Sequence, residues 1–335
     1  MAFKVGLIGL GMAVTPHAKS LLDLRDRVEV AYVFSPSAER RAKFAARFPF
    51  PQCERIETVL QDRSVDAVLI LTPPNTHLEL VERFAAAGKH VLLEKPLEVS
   101  TDRSEKLVKA CKTNKVKLGI VLQHRFRPAA EKLTGLLKAG ELGKLVSASA
   151  SIPNWRPQSY YDQPGRGTQA RDGGGVLLTQ GIHTLDLLLS FAGEASEVKS
   201  LSITTPVHRM ETEDLVCAAV RWKSGALGVV HATTAAYPGS AERIELAGTE
   251  GTALLEGTSL RVNLQNKPTI EFSTPSGGGG TGADPMAFPH DWHRGVLADF
   301  LDAIERGHEP RINGAEALKV HRFIDELLRT PQSRG

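Results

Sequence analysis

Apolar runs at residues 3–8, 28–34, 67–71, 90–93 and 117–122 punctuate the first third of the chain. They are rich in Val, Ile and Leu and do not alternate with polar residues, the pattern of strands buried on both faces of a parallel sheet. Amphipathic stretches at 16–24, 38–48, 77–87 and 103–112 separate them, with the spacing of βαβ crossovers. Residues 1–123 therefore read as an α/β domain with a doubly wound parallel sheet. Past Arg125 the pattern changes. A helix is predicted at 129–138 and a strand at 145–152, followed by a loop at 153–175 rich in Gly, Pro, Tyr and Arg and a helix at 176–191. Strands are predicted at 198–204, 214–222, 226–234, 242–247 and 252–256, joined by short turns such as Lys223-Ser224-Gly225. Consecutive strands with short turns favour an antiparallel sheet, so residues 124–335 read as a second, α+β domain. The run Gly277-Gly278-Gly279-Gly280 reads as a flexible loop, and helices at 292–305 and 315–328 close the chain.

A chain of 335 residues is long enough for two full cores. With 41% hydrophobic and 24% charged residues it has an ordinary globular composition. A formal charge of +3 with no Lys/Arg block argues against a nucleic-acid surface. Cys53, Cys111 and Cys217 are far apart and form neither a disulfide framework nor a zinc pattern. No stretch is expected to approach the roughly 20 apolar residues that span a bilayer. The amino terminus runs straight into a core strand rather than a leader, so the expected compartment is the cytoplasm.

Chemistry concentrates at the predicted strand ends. Gly9-Leu10-Gly11-Met12 follows the first strand and opens a helix, where glycines let backbone N–H groups approach a pyrophosphate. Val14 stands in place of the third glycine of the usual fingerprint. The second strand ends in Ser35-Pro36-Ser37 with Arg40 and Arg41 following, and no acid is there to take the ribose hydroxyls. Hydroxyls plus an arginine suit a 2′-phosphate, which favours NADP over NAD; the alternative is that Ser37 only caps the next helix. Thr72, Pro73, Asn75 and His77 form a stiff edge for the cofactor, with helix capping by Asn75 or Thr76 as a compatible reading. Glu94-Lys95-Pro96 ends an apolar strand, and a partly desolvated Lys95 there would have a lowered pKa and could move a proton at a substrate hydroxyl.

In the second domain, Gly173-Gly174-Gly175 precedes Thr179, Gln180, His183 and Asp186. The glycines permit close approach of a ligand or cofactor, and His183 is a natural acid or base for alcohol oxidation. Asp186 orients that ring or serves the fold. Trp155, Arg166 and Arg171 line the predicted substrate wall, and Arg125 sits where the domain begins, as a substrate contact or a structural residue. The arginines suit an anionic substrate, or they pair with Asp162 and Asp172 or hold cofactor phosphates. His290 and His293 invite a metal reading, but no further ligands cluster in sequence and a helix start is preferred.

With these residues in view, the whole chain resembles the Gfo/Idh/MocA oxidoreductases, the family of glucose–fructose oxidoreductase and inositol dehydrogenase. The resemblance rests on the glycine turn, Thr72-Pro73, Glu94-Lys95-Pro96 and the segment 173–186. It implies a Rossmann domain followed by a domain whose large open sheet mediates homodimer or homotetramer contacts. It also implies hydride transfer between NAD(P) and a hydroxyl or carbonyl carbon of a sugar, cyclitol or sugar derivative. The family lysine falls on Lys95 and the family histidine on His183. Many members carry an aspartate four residues before that histidine; here it is Thr179, which leaves the proton chemistry to Lys95 and His183. Two other readings compete: a catalytically silent sugar sensor, and an elimination or hydrolysis enzyme that recycles bound NAD.

Overall fold

The computed structural model describes residues 2–274 and 289–329; the glycine run at 277–280 lies outside them. The described residues form two compact units, one from residues 2–123 with 289–318, the other from residues 124–274 with 319–329. The break at Gln123 falls where the sequence places it, but residues 289–318, expected in the second domain, return to the first unit.

In the first unit the order is β1 (Phe3–Ile8), α1 (Val14–Asp23), β2 (Val28–Phe34), α2 (Ala38–Ala45), β3 (Gln52–Cys53), α3 (Ile56–Gln61), β4 (Ala67–Ile70), α4 (His77–Ala86), β5 (His90–Leu93), α5 (Thr101–Thr113) and β6 (Leu118–Ile120). The strands are parallel, in the order β3-β2-β1-β4-β5-β6. Their central residues are fully buried, from Val5 and Leu7 in β1 to Ala67–Ile70 in β4 and Val91–Leu93 in β5. Burial on both faces explains the unbroken apolar runs. The sequence order reverses between β1 and β4, which makes the crevice at their carboxyl ends the ligand position of an open α/β sheet.

The second unit opens with α6 (Pro128–Lys138) and β7 (Leu145–Pro153), then two single turns, α7 (Gln158–Tyr161) and α8 (Gln169–Asp172), and the core helix α9 (Ile182–Ala192). Its sheet adds β8 (Ala195–Ile203), β9 (Leu215–Trp222), β10 (Leu227–Thr233), β11 (Arg243–Gly248), β12 (Gly251–Glu256), β13 (Ser259–Leu264) and β14 (Ile270–Ser273). The eight strands run β14-β13-β12-β11-β7-β10-β9-β8, antiparallel except for the β7–β10 pair. Val216, Ala218, Val220 and Trp222 point inward from β9 while the residues between them point out, so one face is core. Trp222 donates to the Ala148 carbonyl at 3.0 Å and meets Phe323 at 5.7 Å.

Two helices complete the chain: α10 (Asp291–Arg306) in the first unit, and α11 (Gly314–Leu328), which begins in the first unit and ends in the second. The stretch Gln169–Ala192 is 24 residues long and apolar enough to cross a membrane, contrary to the expectation that no segment comes near that length. Its apolar window is 83% buried inside the protein, as a core helix is.

Candidate active site

In the first unit the candidate site residues lie on the loops after β1, β4 and β5. Gly9 has φ of 102°, and a Cβ there would lie 2.9 Å from the Leu71 carbonyl carbon. A side chain is therefore barred on two counts, and the β1 and β4 loops close up at the switch point. Nothing lies within 4 Å of a Cβ placed on Gly11, so its backbone faces open space, as phosphate approach requires. Met12 is exposed beside it.

At the end of β2, Ser35 is buried and Ser37 caps α2, its hydroxyl accepting from the Arg40 amide at 3.2 Å. Arg41 donates to the Ser35 carbonyl at 2.7 Å and faces Glu54 at 3.8 Å, while Arg40 stays exposed. Thr76 does not cap α4; its hydroxyl stiffens the loop instead, reaching Thr72 Oγ1 at 2.7 Å and the Pro73 carbonyl at 2.8 Å. Asn75 and Pro73 lie toward the surface of that loop.

His77 corrects an expectation. It is fully buried, with Nε2 at 2.9 Å from the Thr72 carbonyl and Nδ1 at 3.1 Å from both the Pro96 and Leu97 carbonyls. Burial pushes its pKa below the usual histidine value, against the pull of those carbonyls. Its ring is buried between the β4 and β5 loops and donates from one nitrogen to a carbonyl of one of them, rather than meeting a cofactor.

Lys95 is half-buried after β5, and its peptide bond to Pro96 is cis. Its amide donates to Glu94 Oε2 at 3.1 Å, and His17 of α1 meets Glu94 Oε1 at 2.7 Å. Burial on its own would raise the Glu94 pKa, but the His17 hydrogen bond, helped by the Lys95 charge, outweighs it and lowers the value. His293 of α10 stands edge-on to His17 at 5.0 Å, its pKa pushed down to about 3 by burial and by the His17 charge. The ligand atoms of His17, Glu94 and His293 lie within 4.8 Å of one another. The His17–Glu94 separation is that of a hydrogen bond. His290, which shares the possible metal motif with His293, turns away to Asp23 at 2.9 Å. A second buried carboxylate, Glu98, accepts from the Leu78 and Val99 amides and from Arg103, which pins the chain just past Lys95.

The second unit presents His183 on the first turn of α9. Residues Leu177–Gly181 before it are wound as a π-helix, a local widening common at functional positions. His183 is 9% exposed and stacks on His124 at 4.7 Å. Asp186 serves the fold: both its oxygens take the Arg125 guanidinium, at 2.7 and 2.6 Å, in a bidentate buried pair. Arg125 is thus a clamp on α9, in line with the structural one of its two sequence readings. The glycines also differ from expectation. A Cβ on Gly175 would fall 1.7 Å from the Glu213 carbonyl oxygen, so Gly175 admits the neighbouring backbone, not a ligand. Glu213 then accepts from the Gly175 and Leu177 amides at 2.9 and 3.3 Å.

Thr179 donates back to the Gly175 carbonyl at 2.6 Å and contacts the Gln180 amide oxygen. Gln180 reaches the Tyr160 hydroxyl at 3.4 Å, which also accepts from Arg166 at 2.6 Å. Trp155 packs edge-on against Tyr237 at 5.4 Å. Arg171 faces Asp172 at 3.9 Å. Sequence reasoning missed His208, which is buried between Asp214 at 2.7 Å and the Arg156 carbonyl at 2.8 Å and so sets the backbone of the predicted substrate wall.

A glycine-lined switch point and a lysine locked at the end of β5 define an oxidoreductase of the NAD-binding Rossmann class. Residues 3–121 match the oxidoreductase family with an NAD-binding Rossmann fold, and residues 130–254 match the GFO/IDH/MocA C-terminal domain. The chain belongs to the Gfo/Idh/MocA family. Inositol 2-dehydrogenase of Rhizobium meliloti is 26% identical, over 98% of this chain and 97% of its own. The WlbA dehydrogenase from Bordetella pertussis, solved with NADH and UDP-GlcNAcA, is 26% identical with a TM-score of 0.83, covering 98% of this chain and 95% of that one. Levoglucosan dehydrogenase, solved with NADH and levoglucosan, shares the fold at 23% identity with a TM-score of 0.86, over 98% and 96% of the two chains.

Proposed function

We propose that this protein transfers hydride between NAD(P) and a CH–OH or C=O carbon of a sugar, cyclitol or sugar derivative. The observation that carries the reading is the anchored lysine. Glu94 holds the Lys95 amide, His17 holds Glu94, and His77 holds the chain just beyond, so Lys95 is fixed at the carboxyl edge of the sheet. In this reading the neutral Lys95 amine accepts the substrate hydroxyl proton in the oxidation direction and the ammonium returns it in the reduction direction, with the His183 imidazole as the second proton-transfer group. A bound nicotinamide supplies the hydride acceptor or donor. Gly9, Gly11 and the Thr72–Pro73 edge receive it, and the open space at Gly11 fits a pyrophosphate.

NADP is the proposed preference. Ser35 and Ser37 put no carboxylate at the end of β2, and the exposed Arg40 can meet a 2′-phosphate. The protein is also proposed to pair through its sheet. Leu201 and Ile203 of β8 and Leu227 and Val229 of β10 are 74, 54, 52 and 57% exposed, an apolar patch of the kind a second copy covers.

Initial rates of NADP and NAD reduction against aldoses, polyols, uronates and nucleotide sugars test the reading, with Lys95→Ala as the blank. Turnover confined to the wild type is the expected result. Silence across the panel with cofactor still bound would favour the sensor or the cofactor-recycling enzyme.

A further inference from the structure

The wall of the second unit around Tyr160 is built almost entirely of hydrogen-bond donors. The Tyr160 hydroxyl accepts from Arg166 Nη1 at 2.6 Å and from Gln180 Nε2 at 3.4 Å, which directs its own proton outward. Arg166 Nε and Arg171 Nη1 are buried, and among the described residues neither finds an acceptor. Leaving such donors buried and unmet is unfavourable, more so for charged groups. The Arg166 guanidinium lies 4.5 Å from the Tyr160 ring centre and that of Arg156 lies 5.8 Å from the same ring. Like charges gather there; Arg171 faces Asp172 at 3.9 Å, and the other nearby carboxylates are committed elsewhere. Asp172 accepts from the Gly167 amide, Glu211 from the Gln169 amide, and Glu242 faces Arg127 and His124. Thr179 adds no negative charge beside Gln180.

The geometry points to an anion subsite formed by Tyr160, Arg166 and Arg171, which makes the substrate a sugar carrying a carboxylate or phosphate. This inference rests on the sugar-oxidoreductase reading above and narrows it. The oxygens of one anionic group accept from Tyr160 Oη–H and from the solvent-facing edges of the half-buried Arg166 and Arg171 guanidinium groups. A neutral sugar hydroxyl satisfies the same donors without neutralising the guanidinium charge, so it binds more weakly.

The test is kcat/KM for matched pairs: D-glucuronate against D-glucose, D-galacturonate against D-galactose, and UDP-D-glucose against D-glucose. We expect an acid-over-neutral ratio of at least tenfold in the wild type, falling toward one in Arg166→Met and recovering in part in Arg166→Lys. Preference confined to the uronates assigns the anion to a sugar carboxylate; preference confined to UDP-glucose assigns it to a diphosphate. Turnover of neutral sugars with ratios near one overturns the subsite while the hydride-transfer reading stands. So does an Arg166→Met variant that loses NADP affinity and keeps its sugar ratio. If no sugar turns over, calorimetric binding of D-glucuronate, D-galacturonate and UDP-glucose decides. Binding that Arg166→Met removes supports the subsite and rejects only hydride transfer; no binding rejects both.

Discussion

Lys95 and His183 are held in place by different chemistry. Around Lys95 the anchors are two buried histidines: His17 hydrogen-bonded to Glu94, and His77 packed between the Thr72, Pro96 and Leu97 carbonyls. Around His183 the anchor is a buried ion pair, Arg125 on Asp186, with Gly175 packed directly on the Glu213 backbone. The second unit leaves the half-buried Arg166 and Arg171 guanidinium groups for a ligand to meet. Specificity follows from what a fold leaves unsatisfied as much as from what it satisfies.

The contrast breaks most visibly at Asp186. Removing one partner of a buried pair leaves the other charge stranded, so Asp186→Ala is expected to cost about 3–5 kcal/mol in urea unfolding. A cost under about 1 kcal/mol would show that Arg125 finds solvent and that the clamp is not an anchor. Acid comes next. His293, pushed down to about 3, and His321, pushed down to about 4 by burial, bind fewer protons folded than unfolded. Their stabilisation is complete above the unfolded value of roughly 6.5 and is lost as pH falls toward the folded values. At pH 4.5 each is expected to cost roughly 3 kcal/mol relative to pH 7.5, read from urea midpoints. His321→Leu should flatten that pH profile; an unchanged slope would contradict the assignment.

Smaller effects sharpen the comparison. Gly175→Ala forces a Cβ onto the Glu213 backbone and is expected to cost about 1–3 kcal/mol, with His183-dependent activity falling alongside. Ser37→Ala removes the cap of α2, worth about 1 kcal/mol by thermal melting. NADP affinity that falls in Ser37→Ala out of proportion to this loss would give the hydroxyl a direct role on the 2′-phosphate.

The features legible in the sequence were those set by local pattern. Continuous apolar runs marked β1, β4, β5 and β6 because most of their residues are buried on both faces, β2 was marked by its Val positions although Glu29 is exposed, and Gly9 and Lys95 stood out because they follow such runs directly. The two-residue β3 and the short α3 carried too few periods to be seen. So did β13 and β14, where Arg261 and Glu271 interrupt the apolar count. Partners far apart in the chain were invisible as partners. His17 and Glu94 are 77 residues apart, and Arg125 and Asp186 are 61 apart. Gly173–Gly175 looked like a ligand cradle because glycine reports close approach without saying what approaches. The return of residues 289–318 to the first unit left no mark in composition.

The proton role of the anchored lysine is tested most directly by Lys95→Ala, measured two ways on one preparation: NADP binding by fluorescence titration, and turnover on the best sugar of the panel. Binding within a few-fold of wild type is expected, with turnover lower by about 10²–10⁴-fold. Turnover near the wild-type rate would contradict that role, because Lys95 would then not be the group that moves the proton.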